Sequence, residues 1–481
     1  MRLLLKCSVR LYCRLSLTLT DCPAHIGPAR AFSPILKVGF VSLGCAKNMV
    51  DTQVMAGVIL AEGCQMAPSP DQADVVVVNT CAFVEDARVE SLDAIRSACA
   101  WKQKGVCRAV VVTGCMPQRY RDRYQAMLPA VDAWLGVDAL DRIGQVVRRV
   151  AAGERGVLEV VDEPVRLFDP PRLPGVVLSR GAYAYLKVAE GCDHRCAFCA
   201  IPGIRGRYRS RSLDSIVLEA QHLLQSGFRE INLVSQDTLS YGRDRGDKAG
   251  MIRLIQELGK LPGNFWIRIL YGYPSRATPD LLRVMADVPA VCRYLDLPIQ
   301  HRDPVILKAM HRAETVDSLD DLVPRLRTAL PGVVIRTTCL VGFPGETEAA
   351  FDNLLRYIRE SGFDHMGVFV YSPETGTPAH DLSDPVPPAL AEERKIQLLE
   401  TQSTWIRKRF RDLVGREDDV LVEHIEGKGS SRKARCRSRG QAPDVDGSIR
   451  VMSVPASWAT GQFVRIRYTG ARAGELMAKP V

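Results

Sequence analysis

Nine residues, Gly191-Cys192-Asp193-His194-Arg195-Cys196-Ala197-Phe198-Cys199, carry three cysteines in a C-x3-C-x2-C run. Three thiolates this close on one loop suit three corners of an iron–sulfur cubane, and a local triplet leaves the fourth iron without a protein ligand. An open iron is what a reaction site needs. The competing reading is structural zinc, but zinc takes four ligands in a closed tetrahedron. His194 lies inside the loop, too close in sequence to complete one comfortably, and no second C-x2-C pair follows nearby. A second set is spread along the chain: Cys45 closes Ser42-Leu43-Gly44-Cys45, Cys81 closes Asn79-Thr80-Cys81, and Cys115 closes Thr113-Gly114-Cys115. The competing reading there is the ordinary state of a free cysteine, a buried small hydrophobe. That reading is taken for Cys64, Cys99, Cys107, Cys292, Cys339 and Cys436.

Each of these cysteines follows a run of strand type. Lys37 to Leu43, Asp74 to Asn79 and Ala109 to Thr113 read as strands, with helices over about Asn48 to Leu60 and Val84 to Ala100 between them and a further helix after the third. Alternation of this kind predicts a doubly wound parallel α/β domain over residues 35–145. Carboxyl ends of its strands lie side by side in the crevice where ligands bind, so Cys45, Cys81 and Cys115 are expected to converge. Residues 146–180, marked by Pro164, Pro170, Pro171 and Pro174, read as a linker. Over 181–410 the alternation resumes, with strands at Tyr183 to Ala189, Glu230 to Val234, Trp266 to Tyr271, Tyr294 to Leu297, Val333 to Thr338 and His365 to Val370. A partial (β/α)6 barrel follows, with the Cys192 loop at the carboxyl end of its first strand, where catalytic groups gather. After a charged helix, residues 411–481 show short β-type runs (Val420 to Val422, Ile449 to Met452, Phe463 to Arg467) that predict a small antiparallel β-barrel of the oligonucleotide-binding kind.

Composition sets the outer limits. A chain of 481 residues implies several domains. With 46% apolar and 25% charged residues it is a globular chain rather than a disordered one. No apolar run reaches the ~18–20 residues that cross a bilayer, so no membrane is expected and a cytoplasmic location is. Fifteen cysteines, an odd number thinly spread, do not make a disulfide scaffold. The net charge of +9 hints at an acidic or nucleic-acid-rich partner. Nearly half of it falls in residues 1–34, where five basic residues meet one acid, Asp21. That stretch is read as a dispensable extension, with a transit peptide as the competing reading, and its Cys7, Cys13 and Cys22 are left out of the chemistry.

The triplet Cys192/Cys196/Cys199, with an aromatic (Phe198) before its last member, resembles the radical S-adenosylmethionine enzymes. Adding the Cys45/Cys81/Cys115 domain before it and a small β domain after it makes residues 36 to 470 similar to the methylthiotransferases of that superfamily. Val41 to Asn48, Ser235-Gln236-Asp237-Thr238 with Tyr241-Gly242, and Ala442-Pro443-Asp444-Val445-Asp446-Gly447 resemble the branch acting on an aspartate of ribosomal protein S-twelve. Two places depart from the family wording: Ala46, where proline is usual, and the ending Gly474-Glu475-Leu476-Met477, which lacks the usual aromatic. Neither is a cluster ligand.

The resemblance implies two 4Fe-4S clusters, a radical-generating one on Cys192, Cys196 and Cys199 and an auxiliary one on Cys45, Cys81 and Cys115. It also implies S-adenosylmethionine in two parts, as radical source and as methyl donor, and a low-potential electron donor. An unactivated C–H has no useful acidity, so the cofactor must carry the hard step. Phe198, the strand-end residues Ser235, Gln236 and Asp237, and Gly342 and Gly345 in Val341 to Glu346 are candidate S-adenosylmethionine contacts. Plain turns or a helix start at Glu346 are the alternatives. Arg205, Arg207, Arg209 and Arg211 alternate after the cluster loop, reading either as one carboxylate-binding face or as a solvated edge, and Gln300-His301 read as mouth lining or as a structural histidine.

Related methylthiotransferases modify an adenosine of transfer RNA, which makes transfer RNA the second substrate reading. In residues 411–481, 13 Lys plus Arg face 9 Asp plus Glu, and Lys428, Arg432, Lys433, Arg435, Arg437 and Arg439 form a run free of acids. Taken alone that run favours RNA contact. The 442–447 wording favours ribosomal protein S-twelve, free or in the small ribosomal subunit, with Asp444 and Asp446 available to a basic partner. A third reading, from another class, is a non-catalytic iron–sulfur or zinc protein that binds RNA.

Overall fold

A computed structural model describes residues 35–169, 176–179, 181–472 and 474–481. The expectations for residues 1–34 and for Pro170, Pro171 and Pro174 lie outside the described residues. The chain divides into two compact units. The first runs up to Leu178 and adds Gly203–Gly206, and the second holds Ser179–Pro202 and everything from Arg207.

In the first unit, β1 (Lys37–Ser42), β2 (Gln65–Met66), β3 (Val75–Thr80), β4 (Ala109–Gly114), β5 (Ala133–Leu135) and β6 (Val157–Glu159) form one parallel sheet in the order β2-β1-β3-β4-β5-β6. Helices Ala46–Ala61, Glu85–Gln103, Cys115–Met127 and Ile143–Ala151 alternate with the strands. Every residue of Val75–Val78 and Val110–Val112 is fully buried, as a parallel sheet covered on both faces requires. The chain steps outward from β1 to β2 and then back to β3 on the other side, so the strand order reverses beside β1, the position where sheets of this kind open a crevice. Ser42 pairs with Asn79 and Asn79 with Thr113, which levels the carboxyl ends of β1, β3 and β4. The stretch expected as a linker belongs in part to this unit. Its Val157–Glu159 pairs with β5, and Val176 and Leu178 are buried in the same core as Met55, Ile59 and Val147.

The second unit opens with β7 (Tyr183–Lys187), followed by a short antiparallel pair, β8 (Ala189–Glu190) and β9 (Arg209–Ser210). Next come β10 (Glu230–Val234), β11 (Trp266–Ile269), β12 (Val291–Asp296), β13 (Val334–Val341) and β14 (His365–Val370). With β7 they form an open parallel sheet of six strands, β14-β13-β12-β11-β10-β7, alternating with helices: the partial barrel expected from the sequence. After helix Pro388–Leu413, β15 (Glu417–Glu426), β16 (Lys433–Arg437), β17 (Ile449–Met452), β18 (Phe463–Arg472) and β19 (Glu475–Pro480) close into a barrel. Its pairs are antiparallel except β17 with β19, which is parallel. An odd number of strands in a closed ring cannot alternate direction throughout, so one pair of the small antiparallel barrel expected from the sequence runs parallel.

The segment around 437–446 meets the strands of the open sheet. Arg437 is buried between Glu230 (2.5 Å) and Glu423 (2.7 Å), and Glu230 also holds Arg268 at 2.7 Å. Arg439 bonds the carbonyls of Pro289 and Val291 and lies over the Trp266 ring. Asp444 accepts from the hydroxyls of Tyr183 and Tyr185, and Asp446 from Tyr294 and Arg336. The two acids expected to await a basic partner are therefore taken up inside the protein. Two more of the basic run are engaged as well: Arg432 donates to Trp458 O and Lys433 pairs with Glu426. Among the described residues no helix is long and apolar enough to cross a membrane.

Candidate active site

Cys192, Cys196 and Cys199 sit on the loop after β8, which turns at Gly191 with φ +82°. All three are partly exposed free thiols. Two distant segments fix the loop's middle: Ala197 N–H donates to Met310 O (3.0 Å), and Ala379 N–H donates to Ala197 O (2.9 Å). Phe198 packs into the apolar cluster of Met310, Leu340 and Phe343, which anchors the loop. The nearly buried Arg312 guanidinium points Nη1 at Cys196 Sγ (3.7 Å), donates Nη2 to Pro298 O (2.8 Å), pairs with Glu314 and lies over the Tyr273 ring at 4.0 Å. His194 stacks on that same ring, 3.9 Å between centroids. Burial pushes the Cys192 thiol up to about 12, with the backbone bond from His194 opposing. Sequence reasoning missed Arg312 and Tyr273, and nothing near them in the sequence marks either.

At the end of β10, Ser235 is wholly buried and Asp237 nearly so. Asp237 Oδ2 lies 2.7 Å from His194 Nε2 and accepts from Ser240 Oγ, while its Oδ1 is buried without a partner. Gln236 donates to Glu190 Oε1 at 2.7 Å, and its own Oε1 is likewise unpartnered. Glu190 holds Lys187 at 2.6 Å. Two orphaned acceptors beside the Cys192 loop fit a ligand that brings hydroxyl and ammonium donors, because such atoms seldom stay unpaired in a finished interior. Gly342 lies against a helix. A side chain on Gly342 (φ +74°) would meet Ala391 Cβ at 2.5 Å. Glu346 begins no helix: it is buried between His301 (3.2 Å) and Arg394 (3.2 Å), and the helix starts at Glu348 under the Thr347 cap. Gly345 turns at φ +81° and donates to Asp384 O. His301, fully buried, is the structural histidine of the two readings. The arginine alternation is no single face, since Arg211 is buried against Glu219 (2.7 Å) while Arg207 is exposed.

In the first unit, Cys45 precedes helix Ala46–Ala61, Cys81 follows β3 directly, and Cys115 begins helix Cys115–Met127 directly after β4. Cys45 and Cys115 thus occupy helix amino ends. Gly44 (φ +86°) is required here, as a side chain on it would lie 2.7 Å from Cys81 Cβ and 3.1 Å from its sulfur. Beneath the thiols runs a buried polar shelf. Asn48 donates to Leu43 O and Thr80 O, Asn79 donates to Asn48 O and Thr52 Oγ1, and Thr80 donates to Thr113 O. Burial, then the neighbouring Cys115 and Cys45, push the Cys81 thiol up to about 12. Cys115 is raised by burial against the lowering pull of Arg205. That arginine, from the Gly203–Gly206 segment, bonds Asp51 (2.7 Å) and Asn48 (2.5 Å) and lies 3.5 Å from Cys115 Sγ. Among the described residues no group of three or more Cys, His, Asp or Glu side chains is placed to hold a single metal ion. A donor set of three free thiols without a fourth ligand suits a cubane.

Three family matches follow the same division: "Uncharacterized protein family UPF0004" over residues 37–136, "Radical SAM superfamily" over 186–358 and "TRAM domain" over 414–481. In solved structures the fold resembles a radical S-adenosylmethionine methyltransferase, TsrM, from Kitasatospora setae, at TM-score 0.55 and 15% identity over 72% of this chain and 74% of that one. Among curated proteins the chain is 40% identical to the ribosomal protein uS12 methylthiotransferase RimO of Geobacter sulfurreducens, over 92% of this chain and 98% of that protein. It is 42% identical to RimO of Syntrophus aciditrophicus over the same shares. The Radical SAM match brings an iron–sulfur cluster and S-adenosylmethionine to the segment that carries Cys192, Cys196 and Cys199. The chain belongs to the RimO family of radical S-adenosylmethionine methylthiotransferases.

Proposed function

We propose that this enzyme methylthiolates the β-carbon of an aspartate in ribosomal protein uS12, free or in the small ribosomal subunit, in the cytoplasm. The observation that carries the reading is identity near 40% to proteins named for that reaction over 92% of the chain. In this reading Cys192, Cys196 and Cys199 hold one 4Fe-4S cluster and Cys45, Cys81 and Cys115 an auxiliary one. Bound there, with S-adenosylmethionine and a low-potential electron donor, the clusters would supply the one-electron chemistry that an unactivated carbon requires. The protein's own residues do the rest. Gln236 and Asp237 bind S-adenosylmethionine through the acceptors left open at the end of β10, next to Ser235. Arg312 and Tyr273 keep the Cys192 loop in place. Phe198 and Met310 close its underside against water.

Transfer RNA is disfavoured as the substrate because four members of the basic run, Arg432, Lys433, Arg437 and Arg439, are already engaged within the protein. The exposed Lys428 and Arg435 remain for RNA around the target protein. Mass spectrometry on a strain lacking this gene tests the reading. We expect uS12 to lose one methylthio increment and to regain it on complementation. Loss from transfer RNA instead, with uS12 unchanged, overturns it. Anaerobically prepared protein should carry about eight irons, four for each cubane.

A further inference from the structure

Arg205 is 2% exposed, yet its side chain carries a permanent charge, and burying a guanidinium is costly unless its donors are matched. One arm is matched by a charge: Nη1 donates to Asp51 Oδ2 at 2.7 Å, and that carboxylate is equally buried. The other arm is turned elsewhere. Nη2 donates to Asn48 Oδ1 at 2.5 Å and lies 3.5 Å from Cys115 Sγ. The Asn48 amide has no freedom in this arrangement, because both its N–H donors are spent on Leu43 O (3.2 Å) and Thr80 O (2.9 Å). Its oxygen must therefore face Arg205 and Cys115. Leu43 and Thr80 lie immediately before the Cys45 turn and Cys81, so one amide ties two of the cysteine-bearing strand ends to the guanidinium. The arginine acts electrostatically on both Cys81 and Cys115. A pairing with Asp51 alone requires none of this second arm.

We propose that Arg205 is the positioning residue of the Cys45/Cys81/Cys115 site, donating to the Cys115 sulfur and offsetting the charge of three metal-bound thiolates, so that it sets how firmly the site holds iron and at what potential. The inference rests on reading those cysteines as a cluster site. An N–H donated to a ligating sulfur draws density from it and raises the reduction potential, and partners that orient ligands are worth about 10–100-fold in metal affinity. Asp51 and Asn48 support the guanidinium as the guanidinium supports the sulfur.

The test uses the full-length Cys192→Ala/Cys196→Ala/Cys199→Ala protein, in which any cluster sits on the Cys45 set, reconstituted anaerobically. Iron and sulfide per chain, the rate of iron loss to a chelator and the midpoint potential from an EPR-monitored redox titration are compared with those of Arg205→Lys and Arg205→Met/Asp51→Asn in the same background. The second variant removes the buried pair together, leaving no orphaned carboxylate, and circular dichroism checks its fold. The expected result is iron loss about tenfold faster in Arg205→Met/Asp51→Asn with a more negative potential. Arg205→Lys, which keeps the charge but not the fork, should fall between that variant and the parent. If the double variant does not fold, Arg205→Lys alone decides by its potential and rate of iron loss. Parent-like values in a folded variant overturn the role of Arg205. An iron-free parent overturns the cluster reading itself, and the inference with it.

Discussion

Asp237 is the residue whose surroundings are most plainly unfinished. One carboxylate oxygen is satisfied by His194 and Ser240, and the other is buried with nothing to accept. Asp237→Asn keeps the shape and removes the charge, so it should weaken S-adenosylmethionine binding about 10–100-fold, as the ~1.5–3 kcal/mol of a hydrogen bond to a charged group implies. Equilibrium dialysis of the loaded protein reads this directly, and unchanged affinity would remove Asp237 from the binding site. Arg312 belongs to the same scale. Arg312→Met should shift the Cys192 cluster to a more negative potential while Arg312→Lys shifts it less, as loss of an N–H donor to the Cys196 sulfur requires. The six cysteines can be singled out in the sequence because their signal is local, a short spacing in one case and a strand end in the other. Arg205 and Arg312 cannot, because each meets its sulfur across 90 and 116 positions of chain, and no spacing rule reaches that far.

Elements were readable in proportion to their length and burial. The valine runs of β3 and β4 announce strands covered on both faces, and their carboxyl ends place Cys81 and Cys115 where the sequence put them. β5 and β6 are three residues each, too short for a period, and β6 fell inside the stretch read as linker. Glycines were read as room for a ligand, and packing against another element accounts for the clearest of them. Gly342→Ala strains a left-handed backbone and drives Cβ into Ala391 on helix Pro388–Leu413, so it should cost about 1–3 kcal/mol in denaturant unfolding. Adding Ala391→Gly removes the collision but not the strain, and should return part of the loss. Full recovery would show the backbone to be unstrained, and no effect of the first substitution would return Gly342 to the list of ligand contacts.

At the scale of the whole molecule, charge is a poor guide to function when its placement is unknown. The acid-free basic run looked like a nucleic-acid footprint, yet Arg437 within it is the keystone of a buried cluster with Glu230, Glu423 and Arg268 that joins the C-terminal barrel to the open sheet. Burial raises the Glu230 pKa, but Arg437 and Arg268 outweigh it and hold the carboxyl below its usual range. A depressed folded value means that this carboxylate's contribution to stability is complete above the unfolded value of about 4.3 and is lost as pH falls through the depressed one. Arg437→Met leaves two buried carboxylates short of their partner and should cost about 3–5 kcal/mol at neutral pH. Replacing the pair together, Arg437→Met with Glu230→Gln, still leaves Arg268 without its carboxylate and should not recover the whole. Trp266, 2% exposed and 4.9 Å from Phe463 of the barrel, lies at this junction, so in a background with the other four tryptophans replaced by Phe its fluorescence reports the opening. In denaturant the wild type should keep a constant midpoint down to about pH 5 and lose stability below it, whereas Arg437→Met should start lower and change less through the same acid range. A variant as stable as the wild type at pH 7 would mean that the cluster only fills space, and that the apolar contacts around Trp266 hold the barrel by themselves.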